Sequence, residues 1–232
     1  MNTRPERVIA ILGMHRSGTS CLTGSLQEAG LELGDYHTWN PYNRKGNREN
    51  QAFVDLHDSL LEANGGAWDN PPVATVWPAA HRERARGLLA EYAGIPALGF
   101  KDPRCLLALN GWRELVPDLE EVGIFRHPEA VAASLLNRSQ IPREQALALW
   151  YCYNRLLYQE HRQRGFPLLC FDDEERVFNQ KVDDVVRQLR LQPVAAPTRF
   201  YDNALKTHAG RVRSRLPWKV RYLYYRLQRA SL

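Results

Sequence analysis

Four short apolar runs, Val8–Leu12, Ala97–Phe100, Val122–Phe125 and Pro167–Phe171, punctuate the chain and read as buried strands. Between them lie longer stretches of helical periodicity: Thr19–Ala29 closed by Gly30, Gln51–Ala63 closed by Gly65, Pro78–Tyr92 closed by Gly94, Pro128–Asn137, and Arg143–Arg164. Several have Pro at the start or Gly just past the end, where each residue suits the helix terminus. Strands alternating with helices predict βαβ units, hence an α/β fold with a central parallel sheet flanked by helices. Two segments break the rhythm. Leu31 to Arg48, with Gly34, Asn40-Pro41, Asn43 and Gly46, is a long polar and aromatic loop of the kind that forms lids and binding loops. Asn64 to Pro72 is a second turn-rich stretch and holds Trp68. Near the end, Pro217 suits a first helical position, and Leu216, Val220, Leu223 and Leu227 share one face.

With 232 residues, 44% of them hydrophobic, the chain can bury a full core without disulfides or metals. It reads as one domain, 1–232, with a basic helical tail at about 210–230. No apolar segment approaches the roughly 20 residues of a membrane span, and Met1 to Leu12 lacks the pattern of a secretory signal, so a cytoplasmic location is expected. Cys21, Cys105, Cys152 and Cys170 stand far apart in apolar surroundings and form no metal-ligand spacing, which predicts reduced core thiols and no structural metal. The net charge of +5 is uneven. Residues 1–202 carry 23 basic and 26 acidic groups, a net of −3, and every charged residue after Asp202 is basic: Lys206, Arg211, Arg213, Arg215, Lys219, Arg221, Arg226 and Arg229. This argues for one localised anion-attracting region rather than nucleic-acid binding over the whole surface. The tail reads as a helix docked on the body with solvated arginines, the alternative being a weak contact with a membrane surface.

The chemistry concentrates where the first strand runs through Gly13-Met14-His15-Arg16-Ser17-Gly18-Thr19-Ser20 into a helix. Such a loop aims backbone N–H groups and the positive end of a helix dipole at an anion. Gly13-x4-Gly18 has the spacing of a nucleotide-triphosphatase P-loop, but Thr19 stands where that motif requires Lys. Arg16 is the replacement cation, and its planar guanidinium suits a two-pronged grip on phosphate or sulfate oxygens.

Arg16-Ser17-Gly18-Thr19-Ser20 resembles the 5′-phosphosulfate loop of the sulfotransferase family, which reads Lys/Arg-Ser-Gly-Thr-Thr/Ser, in the arginine form also seen in tyrosylprotein sulfotransferases. Val122 to Ser134 resembles the family's 3′-phosphate motif, in which an arginine ends a strand and a serine follows eight residues later; Arg126 and Ser134 hold those positions. Gly99-Phe100-Lys101-Asp102-Pro103-Arg104 looks like the Lys-Asp-Pro element of tyrosylprotein and bacterial relatives, whose lysine neutralises the transferring sulfuryl group. The resemblance covers residues 7 to 175. It implies a P-loop-containing three-layer fold. It implies 3′-phosphoadenosine 5′-phosphosulfate (PAPS) as donor, held by Arg16, Ser17, Gly18, Thr19, Ser20, Arg126 and Ser134, with no metal. Arg48-Glu49-Asn50 resembles the glutamate-base site of glycan and tyrosylprotein members, so the resemblance assigns catalysis to Glu49, Lys101 and Arg16. The acceptor is then a hydroxyl-bearing carbohydrate or other small metabolite rather than peptide tyrosine.

Other readings of these residues are structural. Lys101 and Asp102 can pair within one turn, Arg126 can be a surface ion-pair partner, and Glu49 can stabilise a helix N-terminus. His15 and His37 are further bases in reach of a loop. Trp39, Tyr42 and Trp68 are rings able to stack on an adenine or sugar or to pack the loop, whereas Trp150, Tyr151 and Tyr153 fall in a helical pattern that predicts core packing. Lys206-Thr207-His208 has the wording of a small-molecule family element but stands too late in the chain. The family's Arg-Lys-Gly segment is absent, leaving Arg211, Arg213 or Arg215 as substitutes over the 3′-phosphate. Two rival functions remain open: a small-molecule kinase, opposed by Thr19, and a non-catalytic nucleotide-binding module.

Overall fold

The computed structural model describes residues 3–36, 46–192 and 215–232. The four apolar runs form strands β1 (Val8–Leu12), β2 (Leu98–Lys101), β3 (Glu120–Phe125) and β4 (Leu168–Cys170), within a residue or two of the predicted bounds. They make one parallel sheet in the order β2-β1-β3-β4. Ile11 stands opposite Lys101 and Leu12 opposite Gly123, so the carboxyl ends of β2, β1 and β3 line one edge.

A strand in the middle of such a sheet is covered on both faces and can be apolar at every position. All five β1 residues are fully buried. Val8, Ala10 and Leu12 face the larger core, built from α2 (Gln51–Ala63), α3 (Ala79–Glu91), α4 (Cys105–Leu115), α5 (Pro128–Ser139), α6 (Arg143–Arg164) and α8 (Trp218–Ala230). Ile9 and Ile11 face the smaller core under α1 (Thr19–Glu28) and α7 (Glu175–Gln188). Burying side chains of this size stabilises by about 1.5–3 kcal/mol each, which ties β1 to both helical layers at once.

Helix ends follow local chemistry. The Asn50 side chain accepts a hydrogen bond from the Ala52 amide and caps α2; Pro128 opens α5 while His127 accepts from the Glu129 amide; and Gly165, left-handed at φ 71°, closes α6. Two helices exceed the sequence reading. In α4 a glycine interrupts the pattern because Gly111 lies under Trp77, whose ring a Cβ would meet at 2.3 Å. In α7 the buried residues Phe178, Val182 and Val185 repeat at helical spacing between otherwise polar positions.

The predicted face of the tail docks as expected, with Val220, Leu223 and Leu227 buried and Leu216 partly so. Arg226 reaches Tyr158 of α6 at 2.7 Å. Residues 210–214 of the tail lie outside the described residues. Cys105 and Cys170 are core thiols, but Cys21 and Cys152 are only half-buried; none of the four is in a disulfide. Among the described residues no helix is long and apolar enough to cross a membrane.

Candidate active site

The loop from β1 to α1 is shaped by close approaches. A Cβ on Gly13 would sit 2.5 Å from the Ile124 carbonyl, and one on Gly18 only 2.3 Å from the Phe171 ring. Gly18 is also left-handed, φ 90°, where it caps α1. Arg16 takes the same region at φ 67° without being glycine, a conformation that costs about 1–3 kcal/mol and gathers at binding sites. The first turn of α1 holds no acid, so its leading amides and dipole are not neutralised by a carboxylate of their own. Ser17 is fully buried, and its hydroxyl has no hydrogen-bond partner among the described residues. Ser20 is engaged differently, its hydroxyl donating to the Asn47 carbonyl at 3.0 Å.

Sheet order carries the distant pieces here. Arg126 follows β3 directly and is 7% exposed, its guanidinium 5.3 Å from the Phe171 ring centre and its Nε 3.7 Å from Asp172. The Trp150 indole donates to the Arg126 carbonyl at 2.9 Å and fixes the strand end. Ser134, two turns into α5, accepts a hydrogen bond from Arg16 Nε at 2.7 Å. The loop arginine and the helix serine, 118 residues apart, are therefore in direct contact. Arg138 joins them electrostatically: burial, then the charges of Arg138 and Arg126, bring the Arg16 pKa down to about 10.

Lys101, the last residue of β2, is buried and places its ammonium 2.7 Å from Glu49. Burial lowers its pKa, and Glu49 opposes that shift. Lys101 therefore does not pair with Asp102 in its own turn, and Glu49 precedes the α2 cap instead of serving the helix's first turn. Asp102 belongs to a separate buried chain. It meets His57 Nδ1 at 2.7 Å, and the Trp112 indole donates to His57 Nε2 at 2.7 Å. An indole N–H can only donate, so Nε2 accepts and the proton sits on Nδ1, pointing at Asp102. Burial alone would raise the Asp102 pKa, but the bond from His57 and the charge of Arg104 at 2.9 Å hold it well below the usual carboxylate range.

His15 packs against Trp68 with ring centres 4.5 Å apart, and Tyr153 ties the Trp68 carbonyl at 2.8 Å. Its Nε2 is buried without a hydrogen-bond partner among the described residues. Desolvation, then the charge of Arg104 with Lys101 and Arg138 adding, lowers the His15 pKa to about 3. Trp150 and Tyr153 are fully buried, as their pattern predicted, and Tyr151 is half-buried. His37, Trp39, Tyr42, Lys206, Thr207, His208, Arg211 and Arg213 lie outside the described residues. Arg215 is exposed ahead of α8. Among the described residues no cluster of His, Cys, Asp or Glu could hold a metal ion.

Sequence reasoning missed His57, Trp112, Arg104 and Arg138. Arg138 alone had a signal, standing one helical turn beyond Ser134 on the same face of α5.

No family model and no curated protein matches the chain. Solved structures do. The sulfotransferase domain of the Synechococcus PCC 7002 olefin synthase superposes with a TM-score of 0.60 at 19% identity, covering 96% of this chain and 94% of that one. Sulfotransferase STF1 of Mycobacterium tuberculosis H37Rv superposes at 0.51 with 18% identity, covering 97% of this chain and 77% of that one. The architecture is thus the sulfotransferase fold, an α/β layer structure on a parallel sheet.

Proposed function

We propose that this protein is a sulfotransferase that takes the sulfuryl group of PAPS and passes it to a hydroxyl of a carbohydrate or other small metabolite. The observation that carries the reading is the arginine cluster at the carboxyl edge of the sheet. Arg16 is strained and half-buried, bonds Ser134 through its guanidinium and takes the Arg126 guanidinium on its carbonyl, and a multiply charged anion suits this convergence of cations. The buried Ser17 hydroxyl, which has no hydrogen-bond partner among the described residues, and the acid-free start of α1 suit the same ligand.

PAPS supplies an activated sulfuryl group on a phosphate leaving group. In this reading Arg16, Ser17 and the Gly18, Thr19 and Ser20 amides hold the phosphosulfate, and Arg126 and Ser134 hold the 3′-phosphate. The Arg16–Ser134 bond couples the two subsites. Lys101 is preorganised to stabilise charge developing on the leaving oxygens. Glu49, beside it, takes the proton of the acceptor hydroxyl as the new S–O bond forms and the bond to phosphate breaks. A kinase reading lacks a P-loop lysine, since Thr19 holds that position.

The test supplies sulfur-labelled PAPS with a panel of saccharide and small alcohol acceptors, in EDTA, beside ATP with magnesium. Label moving to an acceptor, and lost in Lys101→Met, is the expected result. Phosphate transfer from ATP would replace this reading with a kinase. Nucleotide binding without turnover of either donor would replace it with a binding module.

A further inference from the structure

Helix α8 carries two spines. The inner one, Val220, Leu223 and Leu227, is used up in docking on the body. The outer one is Trp218, Tyr222, Tyr225 and Arg229, spaced i, i+4, i+7 and i+11, which returns to a single line on a helix directly opposite the docked face. Its rings are in solvent: Trp218 is 67% exposed, Tyr222 54% and Tyr225 51%. Docking does not require them.

Cations interleave the rings. Arg226 lies 5.6 Å from the Tyr222 ring centre, Arg229 5.9 Å from Tyr225 and Lys219 5.8 Å from Trp218, with Arg221 exposed beside them. No acidic residue follows Asp202, while residues 1–202 carry a net charge of −3. An acidic surface therefore attracts this helix and repels the body, which selects the face that meets it.

We propose that the outer face of α8 docks on a membrane surface containing acidic lipid, the rings at the headgroup level and the cations on lipid phosphates. Trp and Tyr favour that boundary because one end of each ring system is apolar and the other polar. Arginine and lysine add the attraction of an anionic leaflet. Single-stranded nucleic acid also pairs rings with cations, but its binders track the backbone in a groove, and this face is the convex side of one helix. Tyr224, on the flank between the spines, packs 4.9 Å from His127, the neighbour of Arg126. The docking helix thus stands beside the candidate active site.

The experiment is co-sedimentation of the full chain with phosphatidylcholine vesicles and with phosphatidylcholine/phosphatidylserine vesicles. Binding is expected on the acidic vesicles only, weakening as salt rises. Arg221→Gln/Arg229→Gln should lower partitioning about 25-fold, from about 1 kcal/mol per cation. Trp218→Ser/Tyr222→Ser/Tyr225→Ser should lower it by about tenfold or more without moving the melting temperature. No sedimentation, equal binding to neutral vesicles, or displacement by an equal phosphate concentration of single-stranded oligonucleotide would each overturn the proposal. The salt series on the unmodified protein decides the matter even where a variant folds poorly.

Discussion

Replacing Arg126 by Ala gives the sharpest test of how the site divides its ligand. The side chain is 7% exposed and is held by the Phe171 ring, by Asp172 at 3.7 Å and by the Arg16 carbonyl at 3.4 Å. Its backbone is fixed separately through Trp150, so the strand end survives the substitution. Two charge-assisted hydrogen bonds to a phosphate, at about 1.5–3 kcal/mol each, come to about 3–6 kcal/mol, or roughly 10²–10⁴-fold in Kd. The assay is calorimetric titration, without metal, of 3′-phosphoadenosine 5′-phosphate and of adenosine 5′-phosphate into wild type and Arg126→Ala. The variant should lose about 10²–10⁴-fold for the first ligand and less than about threefold for the second. Arg126→Met keeps an apolar stem over Phe171 and should behave alike. Equal losses for both ligands, or no loss, would refute the assignment of Arg126 to the 3′-phosphate.

Glu49→Gln keeps the shape and an acceptor oxygen for Lys101 while removing the base. Turnover with PAPS should fall about 10²–10⁴-fold at unchanged nucleotide affinity, and a fall under about tenfold would move the base elsewhere. His57→Leu leaves Asp102 Oδ2 and the Trp112 N–H without their partner in the core while Arg104 still holds Oδ1, so urea denaturation should show a loss of about 2–5 kcal/mol; a loss under about 1 kcal/mol would mean the chain of bonds is dispensable. His15 stays unprotonated in the folded protein down to about pH 3, whereas its ordinary value is 6.5. Between those values the unfolded chain binds the extra proton, so stability falls as pH drops from about 6.5 toward 3 and the effect vanishes above it. His15→Gln should flatten that acid limb by about 1–3 kcal/mol at pH 4, and an unchanged pH profile of the melting temperature would contradict the assignment.

The parts of the fold that sequence reveals are those in which one local rule decides. Val8–Leu12 is apolar at every position because both its faces are covered, and α2 and α6 start and stop at residues whose chemistry suits a helix end. Helix α4 was hidden because Gly111 looks like a breaker until Trp77 is seen lying on it. In the site, the loop residues and Arg126, Ser134, Lys101 and Glu49 were legible one motif at a time. What no motif holds is the pairing: Arg16 with Ser134 and Lys101 with Glu49 arise from strand order and helix packing. The His57–Asp102–Trp112 chain was illegible for the same reason, since its three members lie on different elements and each taken singly is an ordinary residue.

The place of β1 in the sheet also matters for how the protein is made. It leaves the ribosome before its partners, as five consecutive apolar residues, and its hydrogen-bonding neighbours are β2 and β3, which end at Lys101 and Phe125. At roughly 5–20 residues per second that delay is of the order of 5–20 s. Throughout it the strand has no sheet to join, and the β1–α1 loop it carries has no Arg126 or Lys101 beside it. A nascent chain shorter than this holds an exposed hydrophobic segment with no strand beside it, so its exposure to chaperones falls in that interval.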